Sequence, residues 1–118
     1  MSFKLGSESR KLRNSSNTPI FRKKLEDGVI AEANMDGSIF VSEDVDPNSP
    51  MFRTAIKHEQ EHLDQMADGR AAYGDNWVMW EGKIYFRNNG YIDGPNGRWP
   101  EGDENHPWEQ EAIEAENE

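Results

Sequence analysis

The 118-residue chain has no cysteine. That rules out a disulfide framework, a thiolate metal site and a cysteine nucleophile. Any transition-metal site must therefore be built from His, Asp or Glu. Long apolar runs are also missing, so no segment reads as a membrane span. The opening MSFKLGSESRKLR has no apolar stretch of signal-peptide length. The expected location is accordingly the cytoplasm, or a larger assembly built there. Positive charge is scarce: 13 Lys and Arg face 23 Asp and Glu, for a net charge of −10. This balance argues against nucleic acid or an anionic membrane as a partner, because phosphate binding needs surplus Lys and Arg. There is no glycine-rich phosphate loop, no serine in a nucleophile elbow and no internal repeat. Hydrophobic residues make up only 34% of the chain, and mean hydropathy is −1.00. Five Phe, three Tyr and four Trp still supply bulk for one modest core.

The charge that is present is uneven. Residues 1–24 hold seven Lys or Arg against the single acid Glu8, whereas residues 101–118 hold eight acids and no Lys or Arg. Solvated termini account for this pattern, and pairing of a basic head with an acidic tail is a second account. The chain divides into an N-terminal arm over 1–18 and one domain over 19–118. One or two helical turns are expected from Ser7, then a polar loop closed by Pro19. Ile20 to Asp27 reads as a strand or a short helix. Residues 28–45 read as a β-hairpin about Asp36-Gly37, a strong turn dipeptide. A helix follows from Ser49 to Ala67, with Ser49 as N-cap, Pro50 in the first position and Gly69 just past the end. Residues 76–92 read as a second hairpin turning at Glu81-Gly82. Residues 93–107, rich in Gly, Pro, Asp and Asn, read as a loop, and the helix formers after it as a C-terminal helix. The order hairpin, helix, hairpin, helix predicts an α+β domain.

The central helix carries His58-Glu-Gln-Glu-His62. At 100° per residue, His62 falls about 40° from His58, and both lie at the edge of the apolar face formed by Met51, Phe52, Ala55, Ile56, Leu63 and Met66. Asp64 and Gln65 fall on the solvated side. Glu59 points in the general direction of the apolar residues, where an ionised carboxylate is costly without a partner. Two imidazoles four residues apart on a helix can hold one Zn²⁺, and a glutamate beside the first can serve as base for a metal-activated water. In so acidic a chain the string also arises by chance in a solvated helix. The deciding question is a third ligand. His106, Glu109 and Glu111 are the candidates, giving either a three-histidine or a two-histidine, one-glutamate site.

The segment AIKHEQEHLDQM followed by HPWEQEA resembles the small gluzincin-type metallopeptidases of bacteria and phages. The likeness spans roughly Val29 to Glu116. It implies a minimal zincin-like domain with β-hairpins, a central HExxH helix and a C-terminal helix. It also implies zinc held by His58, His62 and Glu109, with Glu111 in reserve and Glu59 as catalytic base. The implied substrate is a peptide or protein, and the reaction is hydrolysis of a peptide or related amide bond. The family pattern places Asp or Asn after the alanine of its E-x-x-A segment to support the first histidine; here Ile113 stands in that place. The opening SFKLGSESRKL is similar to the start of some phage cell-wall peptidases. A second reading follows from the same resemblance: a structural or adaptor component of a phage particle, with other phage structural proteins as partners, keeping the zincin-like fold with or without zinc.

Two other patterns compete for attention. Glu32, Asn34, Asp36, Gly37, Ile39 and Glu43 nearly match a calcium loop, but the flanks read as strands where helices are needed, so the hairpin is the better account. Trp77, Trp80, Tyr85, Phe86, Tyr91 and Trp99 alternate with polar residues, and at strand spacing they read as core rather than as a ligand platform.

Overall fold

The structure is a computed structural model that describes residues 18–118. The helix expected from Ser7, and the N-terminal arm apart from Thr18, lie outside the described residues. The element order is β1 (Ile20–Lys23), β2 (Ala31–Ala33), β3 (Ile39–Ser42), α1 (Pro50–Ala67), β4 (Ala71–Gly74), β5 (Trp77–Trp80), β6 (Lys83–Asn88), β7 (Tyr91–Gly94), β8 (Gly97–Pro100) and α2 (Pro107–Ala115).

Local chemistry sets these boundaries. The α1 N-terminus is closed by Ser49, whose side chain accepts from the Phe52 amide at 3.2 Å, with Pro50 in the first turn where a missing N–H does no harm. Gly69 ends the helix at a φ of +77°, which a β-carbon would strain. The hairpin joining β2 to β3 turns at Asp36-Gly37; Asp36 Oδ1 accepts from the Ser38 amide at 3.0 Å and the Ser38 hydroxyl at 2.6 Å. The flanks of this turn are the strands β2 and β3, not the helices that a calcium loop of this kind needs.

The expected minimal zincin-like domain, with two hairpins and a loop between the second hairpin and the last helix, is not what the chain builds. The described residues form two helices and eight strands in two sheets, one of them a five-stranded antiparallel sheet. The first sheet has the order β1-β3-β2, with β1 parallel and β2 antiparallel to β3. The second is a meander in the order β4-β5-β6-β7-β8. The expected hairpin at Glu81-Gly82 is its central β5–β6 unit. Glu81-Gly82 and Asn89-Gly90 both turn with positive φ at each residue, the two-residue geometry that matches strand twist. Part of the expected loop instead completes β7, at Asp93 and Gly94, and forms β8. These residues escaped the pattern because β8 is exposed along its whole length and β7 buries only Ile92.

One apolar core joins both sheets and both helices. Ala33, Ile39 and Val41 from the first sheet meet Leu63 and Met66 of α1, Val78, Trp80 and Ile92 of the meander, and Trp108 of α2. Trp108 is fully buried and lies 5.8 Å from Trp80, ring centre to ring centre. It anchors the first turn of α2 to the meander. The fit is close: a β-carbon at Gly94 would stand 2.9 Å from His106 Nδ1. Docking α2 against α1 also buries Asp64 and Gln65, which helical periodicity placed on the solvated side.

Candidate metal centre

α1 brings His58, Glu59 and His62 to the floor of a cleft of about 750 Å³, and α2 brings Glu109 and Glu116 to the same place. Val29 to Glu32, including the start of β2, form one wall. His58 Nε2 lies 2.8 Å and His62 Nε2 3.1 Å from one oxygen, Glu109 Oε1. His62 and Glu109 are almost wholly buried, at 1% and 2% exposure, while His58 keeps a partly open side. The ligating atoms of these three residues all lie within 4.8 Å of one another, so the group could hold a metal ion.

The donor set suits such an ion in kind: two imidazole nitrogens and a carboxylate oxygen. Bonds of 2.0–2.2 Å from a tetrahedral centre to nitrogen and oxygen set neighbouring ligand atoms about 3.3 Å apart. The Nε2···Oε1 separations of 2.8 and 3.1 Å are hydrogen-bond lengths, shorter than that edge, so the carboxylate must draw back slightly from the two imidazoles to admit an ion. Their outer nitrogens are occupied: His58 Nδ1 is 2.7 Å from Glu116 Oε2, and His62 Nδ1 is 3.0 Å from Gln65 Oε1. Each ring is thereby turned with its other nitrogen toward Glu109. The rings meet edge to face, 5.0 Å between centres.

Electrostatics ties the cluster together. Burial alone would lower the His62 pKa, but the charge and hydrogen bond of Glu109, with the charge of Glu59, raise it to about 9. Burial likewise opposes His58, whose pKa is nevertheless raised by its hydrogen bond to Glu109 and the charge of Glu59. Glu109 shows the reverse. Burial would push its carboxyl up, but the His62 charge and hydrogen bonds from both rings hold it well below the usual carboxylate range. Burial pushes Glu59 up, against the pull of both histidines. One carboxylate is thus held ionised and its neighbour is held toward the protonated form, the asymmetry that acid–base chemistry uses.

The other two third-ligand candidates lie elsewhere. Glu111 forms a two-pronged pair with Arg70, at 2.9 and 2.6 Å, and also accepts from Gln65 Nε2 at 3.2 Å. His106 is the N-cap position of α2; it stacks on Trp108 at 4.7 Å and sits 3.2 Å from the Trp99 carbonyl. In the first sheet β3 is the central strand, and β2 is the edge that borders the cleft. Sequence reasoning missed Gln65 and Glu116. Both carried a signal: Gln65 is three residues after His62, and Glu116 is seven residues, two helical turns, after Glu109.

Comparison of the chain with protein-family models, with curated proteins and with solved structures finds no match. Among the described residues no helix is long and apolar enough to cross a membrane.

Proposed function

We propose that the protein is a zinc-dependent hydrolase of peptide or related amide bonds, with His58, His62 and Glu109 as the ligands and Glu59 as the general base. The observation that carries this reading is the convergence of two imidazole Nε2 atoms on one buried carboxylate oxygen, beside a second carboxylate whose pKa burial has raised. Two imidazoles and a carboxylate are a donor set suited to Zn²⁺ in a site that keeps a position open. A bound zinc ion supplies Lewis acidity, polarising a carbonyl and acidifying water. Glu59 takes the proton from the attacking water as the new C–O bond forms. It then delivers that proton to the leaving nitrogen as the C–N bond breaks. The raised Glu59 pKa suits both halves of this exchange. β2 provides the docking edge. Among the described residues no strand pairs with its outer side, so an extended peptide can add there through main-chain hydrogen bonds.

Glu59→Gln keeps the shape and the three ligands but removes the base. Hydrolysis of a peptide library should fall by about 100- to 10,000-fold while one zinc per chain is retained. Equal cleavage by both forms would overturn the assignment of Glu59.

A second reading has its own support. The outer face of the meander exposes Ile84 by 64%, Phe86 by 54% and Tyr91 by 44%, and exposed apolar groups of this kind mark protein contacts. A structural or adaptor role in a phage particle, with or without zinc, uses that face rather than the cleft. No cleavage by the native protein, together with incorporation into particles at fixed copy number, would favour this reading over hydrolysis.

A further inference from the structure

Gln65 meets His62 at Nδ1, on the side away from Glu109, and is itself held by Glu111, while Glu116 meets His58 at Nδ1. We infer that Gln65 and Glu116 are positioning residues that fix both imidazoles with Nδ1–H donating outward and Nε2 presented to the metal, and that Arg70 and Glu111 lock Gln65 in the orientation this requires. The inference rests on the metal reading for its purpose, but its geometric content stands apart from it.

The argument is one of donors and acceptors. An amide side chain presents either its oxygen or its NH₂ to a neighbour, so a glutamine beside a histidine settles nothing until its own orientation is settled. Gln65 Nε2 lies 3.0 Å from the Trp108 carbonyl and 3.2 Å from Glu111 Oε1. Both are pure acceptors, so the NH₂ group must point at them. The Gln65 oxygen is then the atom 3.0 Å from His62 Nδ1, and that nitrogen must carry the hydrogen. Glu111 is held in turn by the Arg70 guanidinium. The chain of bonds from Arg70 through Glu111 and Gln65 to His62 therefore has one consistent direction. The residue considered as a reserve metal ligand sits inside this chain and orients a ligand without being one.

His58 is served by a different partner. Glu116 Oε2, 2.7 Å from Nδ1, can only accept when ionised, and it stands at the C-cap of the helix that also carries Glu109. Helix α2 thus contributes one carboxylate on each side of the His58 ring. The family pattern puts its support four residues after the ligating glutamate, at the place of Ile113; this chain puts it three residues further along. Histidine ligands that donate their second nitrogen to an acceptor bind metal more tightly, and loss of such a partner costs about 10- to 100-fold in affinity.

The test uses the full chain labelled with ¹⁵N, first treated with chelator and then titrated with Zn²⁺. In the chelator-treated protein, both His58 and His62 should show exchange-protected Nδ1–H signals. Glu116→Ala should remove only the His58 signal, and Gln65→Leu only that of His62. Glu111→Gln should broaden the His62 signal, because its amide can offer an NH₂ group to Gln65. Zinc affinity should fall by about 10- to 100-fold in Glu116→Ala and in Gln65→Leu, and Glu116→Gln should recover part of the first loss, since its amide oxygen still accepts. Cobalt substituted into each variant should give a shifted visible spectrum, a change that mere loss of stability would not produce. Unchanged Nδ1–H signals in the variants, or ligation through Nδ1 in the zinc-loaded protein, would overturn the inference. Protected signals in a native protein that takes up no zinc would uphold the positioning while removing the metal reading.

Discussion

The cleft floor and the outer face of the meander invert the usual rule of burial. Between α1 and α2 the chain buries His62, Glu59, Gln65 and Glu109. On the meander it leaves Ile84, Phe86 and Tyr91 exposed. Strand register puts Trp77, Met79, Ile84 and Phe86 on that one outer face, while Ala71, Val78, Trp80 and Ile92 turn inward. Exposed apolar side chains need no partner within the molecule, but a buried set of ionisable ones must be paired. For the imidazoles and Gln65 the cleft meets that demand bond by bond, since each imidazole has an acceptor on both sides and Gln65 uses its oxygen and its NH₂ group, whereas burial pushes the Glu59 carboxyl toward its neutral form. Precision therefore resides between the helices, and the meander serves as the wall against which Trp108 holds α2.

The sharpest way to break this comparison is Trp108→Ala. Removing a fully buried indole should destabilise the fold by about 3–5 kcal/mol in chemical denaturation, and α2 should lose its hold on the cleft. A loss under 1 kcal/mol would mean that the α2–meander contact is not what positions Glu109.

A smaller effect is expected from pH. The raised His62 pKa makes its proton stabilising. That contribution is complete below the unfolded value of 6.5 and is lost as pH climbs through about 9. Its size is about 3 kcal/mol at most, at 1.36 kcal/mol per unit. His58 acts in the same sense. The lowered Glu109 pKa gives stability that is present above the unfolded value of 4.5 and is lost as pH falls from there. Glu59 opposes, since ionising its buried carboxyl erodes stability above 4.5. Chelator-treated protein should therefore be most stable between about pH 4.5 and 6.5, and its melting temperature should fall toward pH 9. Saturating zinc should abolish the alkaline fall, because the metal takes the place of those protons. Identical pH profiles with and without zinc would contradict the reading of the cluster as its site.

The smallest effects belong to the outer face. Ile84→Ser and Phe86→Ser should each change stability by no more than about 0.5 kcal/mol and leave zinc affinity untouched, as measured by thermal melts and titration. Losses of several kcal/mol would show that this face packs against something in the molecule.

How much of this was legible in the sequence follows the same divide. The central helix was readable to the residue, since Ser49, Pro50 and Gly69 are local signals that need no tertiary partner. So were the turns at Asp36-Gly37 and Glu81-Gly82. The zincin-like architecture drawn from the HExxH resemblance was not what the chain builds, because a five-residue string constrains one helix and not the strands around it. β8 was invisible because a strand exposed along its whole length carries no apolar alternation, and the Gly, Pro and Asn from the end of β7 through β8 read as loop. At the site, the spacing of His58 and His62 announced that they share a face. That Glu109 joins them while Glu111 turns to Arg70 depends on how α2 is rotated, which Trp108 and the meander decide. The burial of Gln65 depends on the same docking and could not be read from α1 alone.

The central claim is that His58, His62 and Glu109 together hold one zinc ion. It is tested most directly by calorimetric titration of chelator-treated protein with Zn²⁺, comparing the native chain with Glu109→Ala and Glu111→Ala. The account expects one site per chain in the native protein. Glu109→Ala should lose more than about 100-fold in affinity, beyond the 10- to 100-fold that an outer partner is worth, and Glu111→Ala should stay within that outer range. No binding by the native chain, or equal losses in the two variants, would contradict it.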